Sequence, residues 1–311
     1  MLDYIEALDP YITLTTDQKR FDRLRVLIHS FEFEVGIGRI LRYEVRNKVD
    51  DKILGLITLA SDLISIEPRD QYLGWDQNDK IKNGKLRSTA IASSIVPTQP
   101  FGYNMLGGKL IASMITDKVV REDWKRQYGD PLVGSTTTSL FGSYSLYNGI
   151  PLWKKCGRTS GKVLMKPTTK HYQYWLEEIK ETFSEDYKRM VKARTSGMKQ
   201  KFLNKIFQIN GLKTKDYMVN QVRGVYWSSF YKNTKDFLNS KIGEEDLILD
   251  DRVAKGKPYI LDWWKDKAIK RFSKLYDENR YDTELLWYGD YEKQTETFNR
   301  WLSARGLRNY G

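Results

Sequence analysis

The chain has 311 residues, enough for one large domain or two ordinary ones, and its 40% hydrophobic and 30% charged content is that of a folded globular chain, not a disordered tail. A single cysteine, Cys156, excludes an internal disulfide, and with only His29 and His171 beside it a Cys/His zinc site is excluded as well. Fifty-two Lys and Arg against 40 Asp and Glu leave a net charge of +12, which favours a polyanionic partner because each cation laid on a phosphate releases condensed counterions.

In chain order, Phe21, Leu24, Leu27 and Ile28 fall at helical spacing and predict a surface helix over 21–30. The stretch 31–46 and the apolar run Ile53–Ala60 read as two strands joined by a polar turn at Asn47–Asp51, hence an antiparallel hairpin. That run is far shorter than the roughly 20 residues of a bilayer span. The first residues lack the basic and apolar regions of a signal peptide, so the expected protein is cytoplasmic, with no membrane partner and no structural metal. A loop is expected over 67–84, followed by a central strand over 87–96 that Pro97 and Pro100 stop. A helix is expected over 104–124, a strand over 132–141, and a loop or short helix over 142–161. Beyond Lys166-Pro-Thr-Thr the pattern turns helical and basic, which places a domain boundary near 168, between residues 1–168 and 169–311; the last helices are expected over 262–279 and 292–304.

Three constellations carry chemistry. In the first, Gln99, Gly102, Gly107 and Gly108 surround a helix start that follows a buried strand. Such an end offers unpaired N–H groups and about half a positive charge to a phosphate, and Lys109 adds to it. The pattern Gln99-x-x-Gly102 resembles the acyl-CoA pyrophosphate loop of GNAT-type N-acyltransferases, with Asn104 where that loop has Gly or Ala. These six residues are the candidate cofactor site, the donor being acetyl-CoA or another acyl-CoA; packing of helix on strand through small residues is the alternative. The second is the run Lys188–Lys215, with Lys188, Arg189, Lys192, Arg194, Lys199, Lys201 and Lys205 and no acidic residue, a self-repelling surface unless an anion is near. With Arg223, which opens the aromatic stretch 223–232, these cations are the candidate nucleic-acid contacts, DNA being favoured over RNA; the aromatics themselves suit either base stacking or a core. In the third, Asp70, Tyr144 and Tyr147 stand among loop polars. With almost no histidine, proton transfer would fall on a carboxylate or a tyrosine, while for Arg69-Asp70 a loop-fixing ion pair is the alternative.

The residues Gly38-Arg-Ile-Leu-Arg-Tyr43, Ile53-Leu-Gly-Leu-Ile57, Arg69-Asp70 to Gly74-Trp75, Asn104-Met-Leu-Gly-Gly-Lys-Leu110, Asp123-Trp124, Tyr128-Gly129 and Gly157-Arg-Thr-Ser-Gly161 occur in an order that resembles the A-component family of the Druantia anti-phage system, over about residues 20–165. That family was long catalogued as a domain of unknown function and is widespread in phages, mobile elements and bacteria. The chain departs from the family's usual pattern at Ala90–Pro97 and again near Tyr147–Trp153. The resemblance implies a phage or mobile-element protein and a GNAT-like strand order. The expected fold is therefore an α/β (α+β) mixed sheet resembling a GNAT acyltransferase, followed by a mainly helical, basic C-terminal region. Two functions stand side by side: a DNA-modifying acyl transferase, and a non-catalytic DNA- or RNA-binding component of a phage or defence assembly.

Overall fold

The computed structural model describes residues 1–28, 38–98, 101–102, 105–140, 145–164, 169–192, 198–281 and 303. They divide into two units, one built from Met1–Arg158 and the chain from Gly224 onward, the other from Thr159–Arg223.

The first unit opens with α1 (Leu2–Ala7), β1 (Pro10–Leu14) and α2 (Gln18–Ile28). The helical spacing of Phe21 and Leu24 buries both against Leu56. The expected hairpin is β2 (Ile40–Asn47) and β3 (Ile53–Ser61), antiparallel with Tyr43 opposite Ile57. Its turn is held by Arg46, whose Nη2 donates to both the carbonyl and a carboxylate oxygen of Asp51 at 2.7 Å.

Where a loop was expected, α3 (Glu67–Leu73) forms, ended by Gly74 at φ 66°, and a π-helical turn follows at Asn78–Lys82. Their polar composition hides them because Arg69, Asp70 and Lys80 are satisfied by one another and not by water. Next come β4 (Thr89–Pro97), α4 (Gly107–Met114) and α5 (Lys118–Tyr128). The single helix read from the sequence is broken because Asp117 accepts the Val119 N–H and caps a new one. After β5 (Gly134–Ser139), the segment expected to be loop yields β6 (Trp153–Arg158).

The second unit contains β7 (Lys162–Leu164), α6 (Thr169–Thr182), α7 (Ser184–Lys192), α8 (Met198–Ile209) and β8 (Met218–Asn220). The two strands pair antiparallel, and Ile179, Met190, Phe202 and Ile206 form the helices' core. The chain then returns to the sheet as β9 (Gly224–Ser229) and continues through α9 (Thr234–Leu238), α10 (Asp251–Ala254) and α11 (Gly256–Asp277). The helical basic segment is thus an insertion between β6 and β9, and residues after Gly224 belong with the sheet instead of with a C-terminal region starting at 169. Apart from Ser303, the helix expected over 292–304 lies outside the described residues.

The seven-stranded sheet runs β1-β2-β3-β4-β5-β9-β6. Every neighbouring pair is antiparallel except β4 and β5, which run parallel through Thr89↔Gly134, Ala90↔Ser135 and Ile91↔Thr136. A parallel pair needs a crossover connection, and α4 and α5 supply it. Consecutive residues of β9 face opposite cores: Tyr226 packs in the large one with Trp124, Ile111 and Trp264, and Trp227 in a smaller one with Leu73, Trp75, Val133 and Phe237. Among the described residues no helix is long and apolar enough to cross a membrane.

Gly134 sits where β5 meets both β4 and β9, and a Cβ there would lie 2.3 Å from the Trp227 ring and 2.6 Å from the Ser228 carbonyl oxygen. Trp227 is fully buried and has no room to retreat. Gly134→Ala is expected to destabilise the protein by about 1–3 kcal/mol in urea unfolding. Gly161→Ala, whose Cβ would come no closer than 3.6 Å to any of its neighbours, should stay within about 0.5 kcal/mol.

Candidate functional site

The parallel pair is the centre around which the candidate residues arrange. Its backbone register stops at Ile91↔Thr136, although β4 runs on to Pro97 and β5 to Ser139. Side chains reinforce and extend the pairing: within the ladder Ser135 Oγ donates to the Ala90 carbonyl at 3.1 Å, and just beyond it Thr137 Oγ1 donates to the Ala92 carbonyl at 3.0 Å. On the other side of β4 the β3 ladder slips so that Ser93 has no partner, Thr58 facing Ser94 and Leu59 facing Ala92.

Beside this pair lies a buried ionic network. Arg69 is fully buried, with Nη1 2.7 Å from Asp62 and Nη2 2.7 Å from Asp70. Asp62 also accepts from Thr136 Oγ1 at 2.9 Å, which fixes the network to β5. Asp70 accepts from Arg69 Nε at 2.8 Å, from Lys80 Nζ at 2.6 Å and from the Ile66 N–H at 3.2 Å. Two cations and two carboxylates balance, and both cations also lie over Trp75, at 5.2 Å and 5.6 Å from its ring centroid. Asp70, read from the sequence as a proton acceptor, is thus surrounded by donors. Cys156 borders the same region, and burial pushes its thiol up to about 12.

The opposite side of the pair holds the other candidates. The amide of Gly102 donates to Thr98 O at 2.7 Å and that of Gly107 to Phe101 O at 3.0 Å, so the segment before α4 is closed by its own backbone. A Cβ on Gly107 would meet the Phe101 carbonyl at 2.7 Å, which explains the glycine. Gly108 faces Leu146. Phe101 packs edge-on to Trp264, whose Nε1 donates to Leu106 O at 2.9 Å. Lys109 Nζ donates to Asn148 O at 2.5 Å, and burial lowers its pKa. Tyr147 lies inside the core between Trp153 and Tyr226, and burial raises its hydroxyl to about 12. Gln99, Asn104 and Tyr144 lie outside the described residues.

In the second unit, the basic residues are partly neutralised by acidic residues just upstream of the run. Glu185 pairs with Lys188 at 2.8 Å, and Asp186 with Arg189 at 2.6 Å and Lys205 at 2.5 Å. Lys205 is further held 4.7 Å over the Phe183 ring. Lys192 and Lys201 are exposed and have no ion-pair partner among the described residues. Lys199 lies on α8, Arg194 lies outside the described residues, and Arg223 donates to Gln221 Oε1 at 2.7 Å.

One feature escaped the sequence: a cleft of about 740 Å³ in the first unit, lined by the start of β6, the segments following β9, and the beginning of α11. Tyr231, Tyr259 and Trp263 line it, together with Lys154, Lys232, Lys235 and Arg252 and the carboxylates Asp236 and Asp250. The aromatic stretch 223–232 therefore has two fates: Tyr226, Trp227 and Phe230 are core, and Tyr231 and Lys232 reach the cleft. The aromatic-cation mixture in 231–235 was the available signal, but the partners from α10 and α11 are too distant in sequence to be joined to it by pattern.

Residues 8–240 match the family described as Druantia protein DruA, well over half the chain, and the protein belongs to that family. The match extends past the residues 20–165 that carried the resemblance and takes in the helical insertion and β9. Among curated proteins, the Druantia protein DruA of Escherichia coli (strain UMEA 4076-1) is 31% identical over 156 residues, which is 45% of this chain and 38% of the relative. The aligned part is little more than a third of that relative's length. No solved structure matches the chain.

Removing Arg69 leaves two carboxylates in a desolvated site, so Arg69→Met is expected to cost about 3–5 kcal/mol in urea unfolding. Alkaline pH tests Tyr147 separately. Its folded-state pKa lies above the ordinary 10, so the stability it contributes is complete below pH 10 and is lost between there and about 12. Tyr147→Phe should flatten that part of an unfolding curve followed by circular dichroism.

Proposed function

We propose that this chain is a nucleic-acid-engaging component of a Druantia-type anti-phage defence system, working in the cytoplasm of a bacterial cell, with shallow sequence specificity and DNA as the preferred target. The observation that carries the reading is the unneutralised charge of the helical insertion. After Glu185 and Asp186 have taken Lys188, Arg189 and Lys205, the exposed Lys192 and Lys201 still lack a described counterion. A surface of this kind attracts phosphate without reading bases. Family membership supports the defence setting, because the family is named for the Druantia system.

A second reading, acyl transfer, is favoured by one observation. Seven strands are joined by five antiparallel pairings and one central parallel pairing, with a slipped ladder beside β4 and a helix following it, which resembles the arrangement in which a GNAT-type enzyme admits a thioester between the two parallel strands. A donor pyrophosphate at α4 would have to compete with the Gly107–Phe101 backbone bond, and the base would have to be a group less encumbered than Asp70. Acyl-CoA binding therefore predicts a conformational change in the segment before α4.

Two measurements separate the readings. Binding to a DNA duplex is expected to fall linearly in log affinity with log salt, and Lys192→Glu combined with Lys201→Glu should reduce the slope by about 2, since each phosphate contact contributes about 0.9. An unchanged slope would remove the insertion from the interface. For acyl transfer, acetyl-CoA at 100 times its dissociation constant should stabilise the fold by about 2.7 kcal/mol; no shift with any acyl-CoA leaves the binding reading alone.

A further inference from the structure

The cleft of the first unit plays no part in either reading, although its lining is chemically specific. Its floor is rigid: Trp153 and Trp227 are buried, and Trp153 is anchored by its Nε1 on Ala112 O at 3.2 Å. Above them Tyr231, Tyr259 and Trp263 are half-buried: Tyr231 and Trp263 rest partly on the main core, Lys255 Nζ lies 5.6 Å over the Tyr259 ring, and none of the three stacks on another aromatic among the described residues, so the exposed part of each ring lines the cleft. The cations differ in how they are held. Lys235 Nζ donates to a neutral partner, Tyr72 O, at 2.6 Å and lies 4.1 Å over the Tyr72 ring. Lys232 pairs with Asp251 at 2.7 Å, the side chains being 48% and 78% exposed, and an exposed pair of this kind contributes little in water. Arg252 is held by Asp250 at 2.8 Å, and Lys154 has no ion-pair partner among the described residues. Four cations against Asp236 and Asp250 leave the lining positive.

Partly exposed rings beside surplus cations suit a ligand that is flat and apolar on one part and anionic on another. A volume of about 740 Å³ lies in the range of small-ligand pockets and is far too small for a duplex, whose bases in any case hide their faces in the stack. We propose that the cleft takes one nucleotide unit with an unpaired base, the base stacking on the Tyr259 and Trp263 side and the phosphate resting between Lys235 and Arg252. The inference deepens the nucleic-acid reading and rests on it: the insertion would hold phosphates indiscriminately, while the cleft selects a strand whose bases are free. The same chemistry is offered by a free nucleotide, and the experiment tells the two sources apart.

The test is fluorescence polarisation with the full chain, using labelled oligo(dT), the corresponding duplex, and thymidine monophosphate as competitor. Tyr259→Leu keeps an apolar side chain and removes the π-face; it is expected to weaken oligo(dT) binding by about fivefold or more while leaving the duplex within about twofold, since base–aromatic stacking is lost only with the single strand. Lys235→Gln should weaken oligo(dT) in the same direction and make its salt dependence shallower. Equal thermal midpoints of variants and parent establish that folding is intact, and if Tyr259→Leu unfolds, Lys235→Gln on the exposed surface carries the test. Competition by the monophosphate at concentrations comparable to the strand's nucleotides assigns the site to a free nucleotide; competition only by the strand assigns it to nucleic acid. Oligo(dT) binding that is unchanged in both variants, with the parent and its duplex binding intact, overturns the cleft and leaves the nucleic-acid reading standing. Equal displacement by poly-glutamate also overturns it, in favour of an acidic protein partner. A parent that binds neither strand nor duplex fails the underlying reading itself.

Discussion

The guanidinium of Arg69 is fully buried, and this single desolvated charge organises one whole face of the sheet. A buried cation is tolerable only if carboxylates reach it from well-defined directions. Asp62 does so from the end of β3 and Asp70 from α3, with Thr136 of β5 and Lys80 of the π-helical turn completing the set. These elements come from separate parts of the chain, so the network fixes their mutual positions where apolar packing by itself would allow sliding. Trp75 closes it from above, its ring serving both cations.

The second constraint is topological. An otherwise antiparallel sheet contains one parallel pair, and a parallel pair cannot be closed by a hairpin. The crossover through α4 and α5 therefore lays helices over β3 and β4 on the face opposite Arg69, where Trp124, Ile111 and Trp264 form the main core. Both faces of β4 and β5 are covered as a result. The short backbone register between them is supplemented by the hydroxyls of Ser135 and Thr137, which explains why a strand written Gly-Ser-Thr-Thr-Thr-Ser is at home in the middle of a protein.

Charge in this chain acts at three levels that a net value of +12 merges. Some cations are structural, as in the Arg69 network. Others are neutralised on the surface by carboxylates one helical turn away, as Lys188 and Arg189 are by Glu185 and Asp186. On the reading proposed above, what would face a partner is the remnant on α7 and α8 and the cations of the cleft.

Much of the sheet was legible from periodicity, because β2, β3, β4 and β5 are bounded by turns or prolines and packed by residues whose spacing is local. The surface helix at Phe21 and the long helix at Trp264 were legible for the same reason. What the sequence by itself determined is thus the local elements, the exclusion of an internal disulfide, the cationic balance and the kinship carried by short motifs in order. The tertiary structure alone decided that residues 224–229 return to lie between β5 and β6, because strand pairing is a contact between distant segments and leaves no periodic trace. It also decided the fate of polar residues: Arg69 and Asp70 look like loop surface in sequence, yet Arg69 is buried and Asp70 largely covered because Asp62 and Lys80 meet them in space. The cleft belongs to the same class, since its rings and cations come from β6, the segments after β9 and α11, and only the fold brings them to one wall.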